Sequence, residues 1–291
     1  MSKHSWLFLL LTCMGLWSGG QTVQAQALLP YNPELNSEQL EQAGLEMAEE
    51  AIQLMRFERP DAAVSRAELS TQLAPERFQT WFILGSLYLQ GEEIDRGIEA
   101  LKQAQTLAPE EAVIRFTLGS AYFEKGDYQT AINEINAGLK IKTDVPTAYF
   151  DLGNSHLKLG QYGEAIKAYQ KAVSIEKNFW PAINNTGLVK YEQGDLTGAL
   201  KEWQAALKID PEQAEPKLAQ AVATYVQGKK TEGLKLAEAA LMIDGRYGDL
   251  EFLRKNLWGD KLLANTKILL DTPEMKAVLL RVQSQPTEET K

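Results

Sequence analysis

His4, His156 and Cys13 are the whole supply of imidazole and thiol chemistry in this 291-residue chain. His4 and Cys13 fall within an apolar N-terminal stretch, so the body of the chain keeps one histidine and no thiol. That excludes a cysteine nucleophile, a disulfide framework, a Cys/His zinc site and an iron–sulfur cluster. Carboxylates occur in pairs, Glu49/Glu50, Glu92/Glu93 and Glu110/Glu111, but each pair is adjacent in sequence at a helix end or turn. General acid–base chemistry needs two carboxyl groups facing across a pocket with separated pKa values, so these pairs read as solvated charges. His156 reads as a packed residue between helices. No glycine-rich phosphate loop and no metal-spaced cluster is present, so no catalytic residue, metal ligand or cofactor is expected. A net charge of −9 argues against capture of nucleic acid. The sequon Asn184-Asn185-Thr186 lies inside a predicted helix and reads as chance.

The elements that would position any site repeat with a period of 34. Gly85, Gly119, Gly153, Gly187 and Ala221 are each 34 residues apart, as are Gly97, Ala131, Ala165, Ala199 and Gly233. Ala104, Gly138, Ala172, Ala206 and Ala240 form a third series, and Pro75, Pro109 and Pro211 fall on the same lattice. Self-similarity at such a period marks a solenoid. Within a unit, large apolar residues such as Trp81, Leu84 and Tyr88, then Ile98 and Leu101, recur at helical spacing. The small residues mark where two helices approach closely. Gly91, Gly126, Gly160, Gly194 and Gly228 close the first helix of each pair, and Asp127 and Asp195 can cap the second. The prolines stop the second helix from running into the next unit. One antiparallel pair cannot bury its apolar stripe alone, and stacking on neighbours does so.

This pattern resembles the tetratricopeptide repeat (TPR) family, whose motif W-x2-L-G-x2-Y…A-x3-F…P is nearly reproduced by residues 78–111. The resemblance implies an all-α, right-handed superhelix. The lattice places six units at 44–77, 78–111, 112–145, 146–179, 180–213 and 214–247, behind a spacer and helix start at 28–43. Asn36 with Gln39 suggests a capping box for a longer first helix. Residues 248–283 read as capping helices in which Phe252, Leu253, Leu257, Trp258, Leu262 and Leu263 cover the open end, and 284–291 as a disordered tail.

TPR proteins commonly bind ligands on the inner stripe of the first helices, and the resemblance implies the same here. That stripe reads Phe82/Ser86/Leu89, Phe116/Ser120/Phe123, Phe150/Asn154/Leu157, Asn184/Leu188/Tyr191 and Leu218/Val222/Tyr225. Phe82, Leu89, Phe116, Phe123, Phe150, Asn154, Leu157, Asn184, Leu188, Tyr191 and Tyr225 are therefore the expected contacts for a protein or peptide segment with apolar anchors. Each side chain buried against such a partner contributes roughly 1.5–3 kcal/mol. The same phenylalanines can instead pack between neighbouring helices. Of the basic and amide residues of a carboxylate clamp only Asn154 is in place, so an acidic-tail clamp is not expected.

The run WLFLLLTCMGLW at 6–17 is shorter than the about 20 apolar residues that span a bilayer. With Lys3 before it and A-x-A-like ends at Ala25 and Ala27, segment 1–27 reads as a signal peptide or an N-terminal membrane anchor. The charge rule then puts the repeats on the exported side. The blocks LEMAEEAIQLMRFERPDAAVSRAELSTQLAP and LWGDKLLANTKILLDTPEMKAVL are similar to a cyanobacterial and plastid TPR group of photosynthetic membranes. That group includes photosystem assembly factors and the protein that interacts with protochlorophyllide oxidoreductase. The resemblance implies a non-enzymatic accessory factor at the thylakoid, in tension with the charge rule because that reductase sits on the cytoplasmic side. A periplasmic adaptor for outer-membrane or cell-wall assembly is the alternative. A glycan-directed enzyme would instead require a deep pocket with two facing carboxylates.

Overall fold

The computed structural model describes residues 36–284, and every regular element among them is helical. The expected signal or anchor segment 1–27, the spacer to residue 35 and the tail 285–291 lie outside the described residues. Six antiparallel pairs follow one another: α1 (Ser37–Arg56) with α2 (Pro60–Leu73), α3 (Phe78–Gln90) with α4 (Ile94–Leu107), and α5 (Ala112–Lys125) with α6 (Tyr128–Ile141). Then come α7 (Pro146–Lys158) with α8 (Tyr162–Ile175), α9 (Trp180–Glu192) with α10 (Leu196–Ile209), and α11 (Ala214–Val226) with α12 (Lys230–Ile243). A one-turn 3₁₀ helix (Gly245–Gly248) leads to α13 (Leu250–Lys255), α14 (Asp260–Leu270) and α15 (Pro273–Ser284). None of the described helices is long and apolar enough to cross a membrane.

The four inner pairs close through a small residue under a larger one. A Cβ added at Gly85 would stand 2.7 Å from Leu101, at Gly119 2.5 Å from Ile135, at Gly153 2.4 Å from Tyr169 and at Gly187 2.5 Å from Trp203. These separations are far inside van der Waals contact, so each glycine is the seat for one side chain of the second helix. At the two ends the lattice substitutes Ala51 with Ala67 and Ala221 with Ala237, small on small, all four fully buried. Along the stack the seated residue is Leu, then its isomer Ile, then the larger Tyr and Trp.

The turns between helices are equally local. Gly126 and Gly194 end the first helices at φ 85° and 87°, and the next residues, Asp127 and Asp195, accept from the backbone N–H of Thr130 (3.1 Å) and Gly198 (2.8 Å). A two-residue Gly-Asp motif thus stops one helix and caps the next. Gly91 departs from the expectation: it sits at φ −85°, and Glu92 takes the left-handed position at φ 60°. The turn itself keeps its register, since Glu58, Glu92, Gly126, Gly160, Gly194 and Gly228 all have positive φ and stand 34 residues apart. Gly91 lies one residue ahead of that slot, and its N–H still bonds Leu87 O at 3.0 Å.

Successive first helices touch, α1 with α3, α3 with α5, α5 with α7 and α7 with α9, whereas second helices make hardly any such contact. The first-helix side is therefore the inner side of the stack. Past α9 the pattern changes, because α14 lies across both α9 and α11. α15 packs on α12, the outer helix of the last pair.

The seat-and-knob arrangement makes a prediction. Gly119→Ala should cost about 1–3 kcal/mol by overpacking and Ile135→Ala about 2–5 kcal/mol by leaving a cavity. The double variant should lose less than the two together by about 1 kcal/mol or more, since it recreates the alanine pairs of the ends. Urea unfolding of the four proteins measures the coupling, and strict additivity would refute it.

Candidate functional site

The inner face divides at α9. Over the last two pairs it is closed by the chain itself. Leu188, Tyr191, Leu218 and Val222, all on the predicted binding stripe, are at most 2% exposed and share one apolar cluster with Leu253, Trp258, Leu262, Leu269 and Leu270. Polar contacts fix the overlay. Glu192, at the end of α9, accepts from the N–H of Lys261 (3.2 Å) and Leu262 (2.9 Å), the opening turn of α14. A carboxylate there satisfies orphan donors and complements the helix dipole. Asn265 donates to the Tyr191 hydroxyl at 2.8 Å and the Trp258 indole N–H to Glu215 at 3.0 Å. Leu188 and Tyr191 are thus core of this fold. The expected cover of the open end is only part of the C-terminal segment's role. Of the residues expected to cover that end, Leu253, Trp258, Leu262 and Leu263 join the cluster, whereas Phe252 packs edge-on to the ring of Tyr247, centroids 5.1 Å apart, and Leu257 adopts φ 68° in the turn before α14.

Over the first four pairs the inner face is open, and its phenylalanines are half-buried. Phe116 lies over Gly138 of its own second helix, 2.5 Å from where a Cβ would stand, and Leu89 covers Gly97 in the same way. Phe150 packs edge-on to Phe179 with centroids 5.6 Å apart and tilts against Tyr169 at 5.9 Å. Phe82 lines a shallow apolar cavity of about 230 Å³ with Ile52, Met55 and Leu87. Leu157 joins the cluster around Tyr169. One edge of each of these large side chains packs within the fold and the other faces the groove. Tyr225, in the sixth pair, instead packs against the closing cluster with Lys230 over its ring at 5.8 Å.

Between α5 and the turn after α13 the groove deepens into two adjoining cavities. One, of about 250 Å³, is bounded by Phe123, Phe150 and Trp180, floored by Asn154, Asn184, Asn185 and Glu215, and rimmed by Lys255, Asn256 and Leu257. The other, of about 170 Å³, is lined by Ser120, Phe123, Glu124, Asp151 and Asn154. The floor is a hydrogen-bonded chain: Tyr169 and Asn185 both donate to Asn154 Oδ1, at 2.8 and 3.0 Å, and Asn184 donates to Asn185 at 3.1 Å. Asn184 Oδ1 is buried and has no partner among the described residues.

Of the predicted contacts, Phe123, Phe150, Asn154 and Asn184 converge here. Asp151, Asn185 and Glu215 were missed, although the lattice carries their signal. Asp151 and Asn185 share a repeat slot with Ile83, Thr117 and Ala219, and Glu215 one with Gln79, Val113, Thr147 and Pro181. Burial raises both carboxyl groups, Asp151 to about 6 and Glu215 to about 7. Bonds from Ser120 to Asp151, and from Trp258 and Asn184 to Glu215, pull the other way and are outweighed. The two acids line different cavities rather than facing each other, and the carboxylate pairs at 49/50, 92/93 and 110/111 are exposed. His156 is half-buried, its Nδ1 2.6 Å from Gln161 Oε1.

Paired helices stacked with a grooved inner face define an α-helical repeat solenoid. Tetratricopeptide repeat profiles match residues 49–112 and 146–179, and a further TPR repeat profile matches 119–160 and 187–228. The chain belongs to the tetratricopeptide repeat family, a family of protein–protein interaction scaffolds. No curated protein matches it in sequence. Among solved structures it is similar to PilW, a widely conserved type IV pilus biogenesis factor, at 20% identity and TM-score 0.64, over 74% of this chain and 99% of that one. It is similar to MamA at 27% identity and TM-score 0.53, over 55% of this chain and 94% of that one. It is also similar to YrrB, a TPR protein with an unusual peptide-binding site, at 20% identity and TM-score 0.50, over 65% and 97%.

The buried Glu215 carboxyl sets a pH dependence. Its folded-state pKa lies above the ordinary 4.5, so the folded protein holds a proton that the unfolded chain has released. Stability therefore falls as pH rises from about 4.5 through 7. Glu215→Gln keeps an acceptor for Trp258 and removes the charge. It should match the wild type below pH 4.5 and exceed it by about 1–3 kcal/mol at pH 8. Equal unfolding free energies at pH 8 would refute this.

Proposed function

We propose that this chain is a non-enzymatic scaffold that holds an extended segment of a partner protein along the inner face of its first four helix pairs. The observation that carries the reading is the contrast within one surface. Where the groove over α9 and α11 is apolar, the chain's own α14 fills it, while the groove from α1 to α7 stays open with phenylalanine edges and amide groups exposed to it. A preformed curved surface lowers the ordering cost of binding an extended segment. The peptide-binding site of YrrB, a protein of the same fold, agrees with such an occupant.

The similarity of its N- and C-terminal blocks to TPR proteins of photosynthetic membranes supports an assembly or accessory role at such a membrane, with residues 6–17 as tether or export signal. The short apolar run followed by A-x-A-like ends supports the second reading, a periplasmic adaptor for outer-membrane or cell-wall assembly. Fractionation of the tagged chain with N-terminal sequencing separates them. Recovery with photosynthetic membranes supports the first, and a processed soluble form in the periplasm the second.

The scaffold reading is tested by photo-crosslinking in the native host. A benzoylphenylalanine at position 123, on the inner face, should give discrete adducts with a partner, and one at Lys140, exposed on α6, should give none. Adducts only from position 140, or equally from both, would refute the groove as the binding face.

A further inference from the structure

The cavity between α5 and α7 holds charge that no cation among the described residues answers. Asp151 is half-buried there, and its one polar contact among the described residues is the Ser120 hydroxyl at 3.5 Å. Glu124, on the same wall, takes part in no ion pair among the described residues, and the like charge of Glu92 pushes its pKa up further than burial alone. Elsewhere the buried or half-buried acids of this chain do find donors. Glu134 has Arg115 at 3.1 Å, Glu202 has Lys190 at 2.5 Å and Glu192 has the start of α14. The adjoining cavity shows the same deficit independently. Asn184 is 1% exposed, lines that cavity, and leaves its Oδ1 without a donor. Burying an acceptor without a partner costs about 1–3 kcal/mol, so such an atom marks a missing donor.

We propose that the partner segment carries one basic residue, lysine or arginine, whose side chain enters between α5 and α7 and sets its cationic head against Asp151 and Glu124. The proposal rests on the groove reading above and names the chemistry of its occupant. The Phe123 ring, shared by both cavities, receives the aliphatic stem, and its face attracts the cation. An N–H of the same segment reaches Asn184 Oδ1 in the next cavity. The 170 Å³ on the acidic side accommodates one such head group. Lys255 on the far rim carries the opposite charge, which fixes the basic residue to the α5–α7 end and disfavours a second one beside α13. The net charge of −9 favours the encounter with a basic segment.

A random nine-residue peptide library displayed against the full chain tests this. The enriched peptides should share a single lysine or arginine. Exchange of that residue for norleucine or citrulline should weaken binding to the wild type at least about tenfold and leave binding to D151N/E124Q nearly unchanged. Asp151→Asn is isosteric, and Glu124→Lys, at an exposed position, serves as a second variant that cannot disturb the core; it should reject the basic peptides. If enriched peptides lose affinity on Phe123→Ala but bind equally well with the neutral residue, the basic anchor is wrong and the groove reading stands. If no peptide is enriched, or enriched peptides ignore Phe123→Ala, the groove reading falls and this proposal falls with it.

Discussion

The four inner pairs of this stack depend on a helix that gives up a side chain so that its neighbour can fill the space. A glycine on the first helix is a poor helix residue, costing about 1 kcal/mol against alanine. Its compensation is a seated Leu, Ile, Tyr or Trp whose burial contributes more. The exchange works only when both members are present, which explains why the terminal pairs use alanine on both sides. It also sets the distance between helices within each pair, and so the position of the inner stripe relative to the outer helices. The groove is a product of the same exchange: Phe116 and Leu89 lean into Gly138 and Gly97, which leaves the other side of each side chain turned toward the groove.

A stack of nearest-neighbour contacts has no long-range ties of its own. Here the C-terminal segment supplies them. Contacts between Asn265 and Tyr191, Trp258 and Glu215, and the α14 backbone and Glu192 join positions 43 to 74 residues apart. The last two pairs therefore form the most cross-linked part of the fold, while the first pairs rely on their immediate neighbours. Openness of the inner face follows the same gradient. The part that binds least to itself is the part left available.

The repeat, its helix boundaries and its small-residue seats were legible because they are local: a 34-residue lattice and helical spacing determine them. Gly126, Gly194, Asp127 and Asp195 do what their types suggest. Gly91 does not, because it lies one residue ahead of the left-handed slot, which the 34-residue lattice places at Glu92. The inner stripe was legible as a row of positions but not as an accessible surface. Whether Leu188 and Tyr191 face solvent or core depends on where α14 lies, and nothing local to α9 encodes that. The polar floor was partly visible. Asn154 and Asn184 stood on the stripe, whereas Asp151, Asn185 and Glu215 needed a comparison of each slot across units for the place where an acid or amide replaces a neutral or apolar residue.

The clasp between Glu192 and the first turn of α14 has a bearing on how such arrays change in length. Duplicating a unit is the ordinary way a solenoid grows, and upstream of α9 an extra unit would merely slide the N-terminal part outward. Between α9 and α11 the same insertion would carry the carboxylate off its two amide donors and strand an aliphatic helix in water. The C-terminal third thus acts as a fixed terminus from which copies can be added in one direction alone, and variation in array size among descendants of this gene should be confined to its leading units.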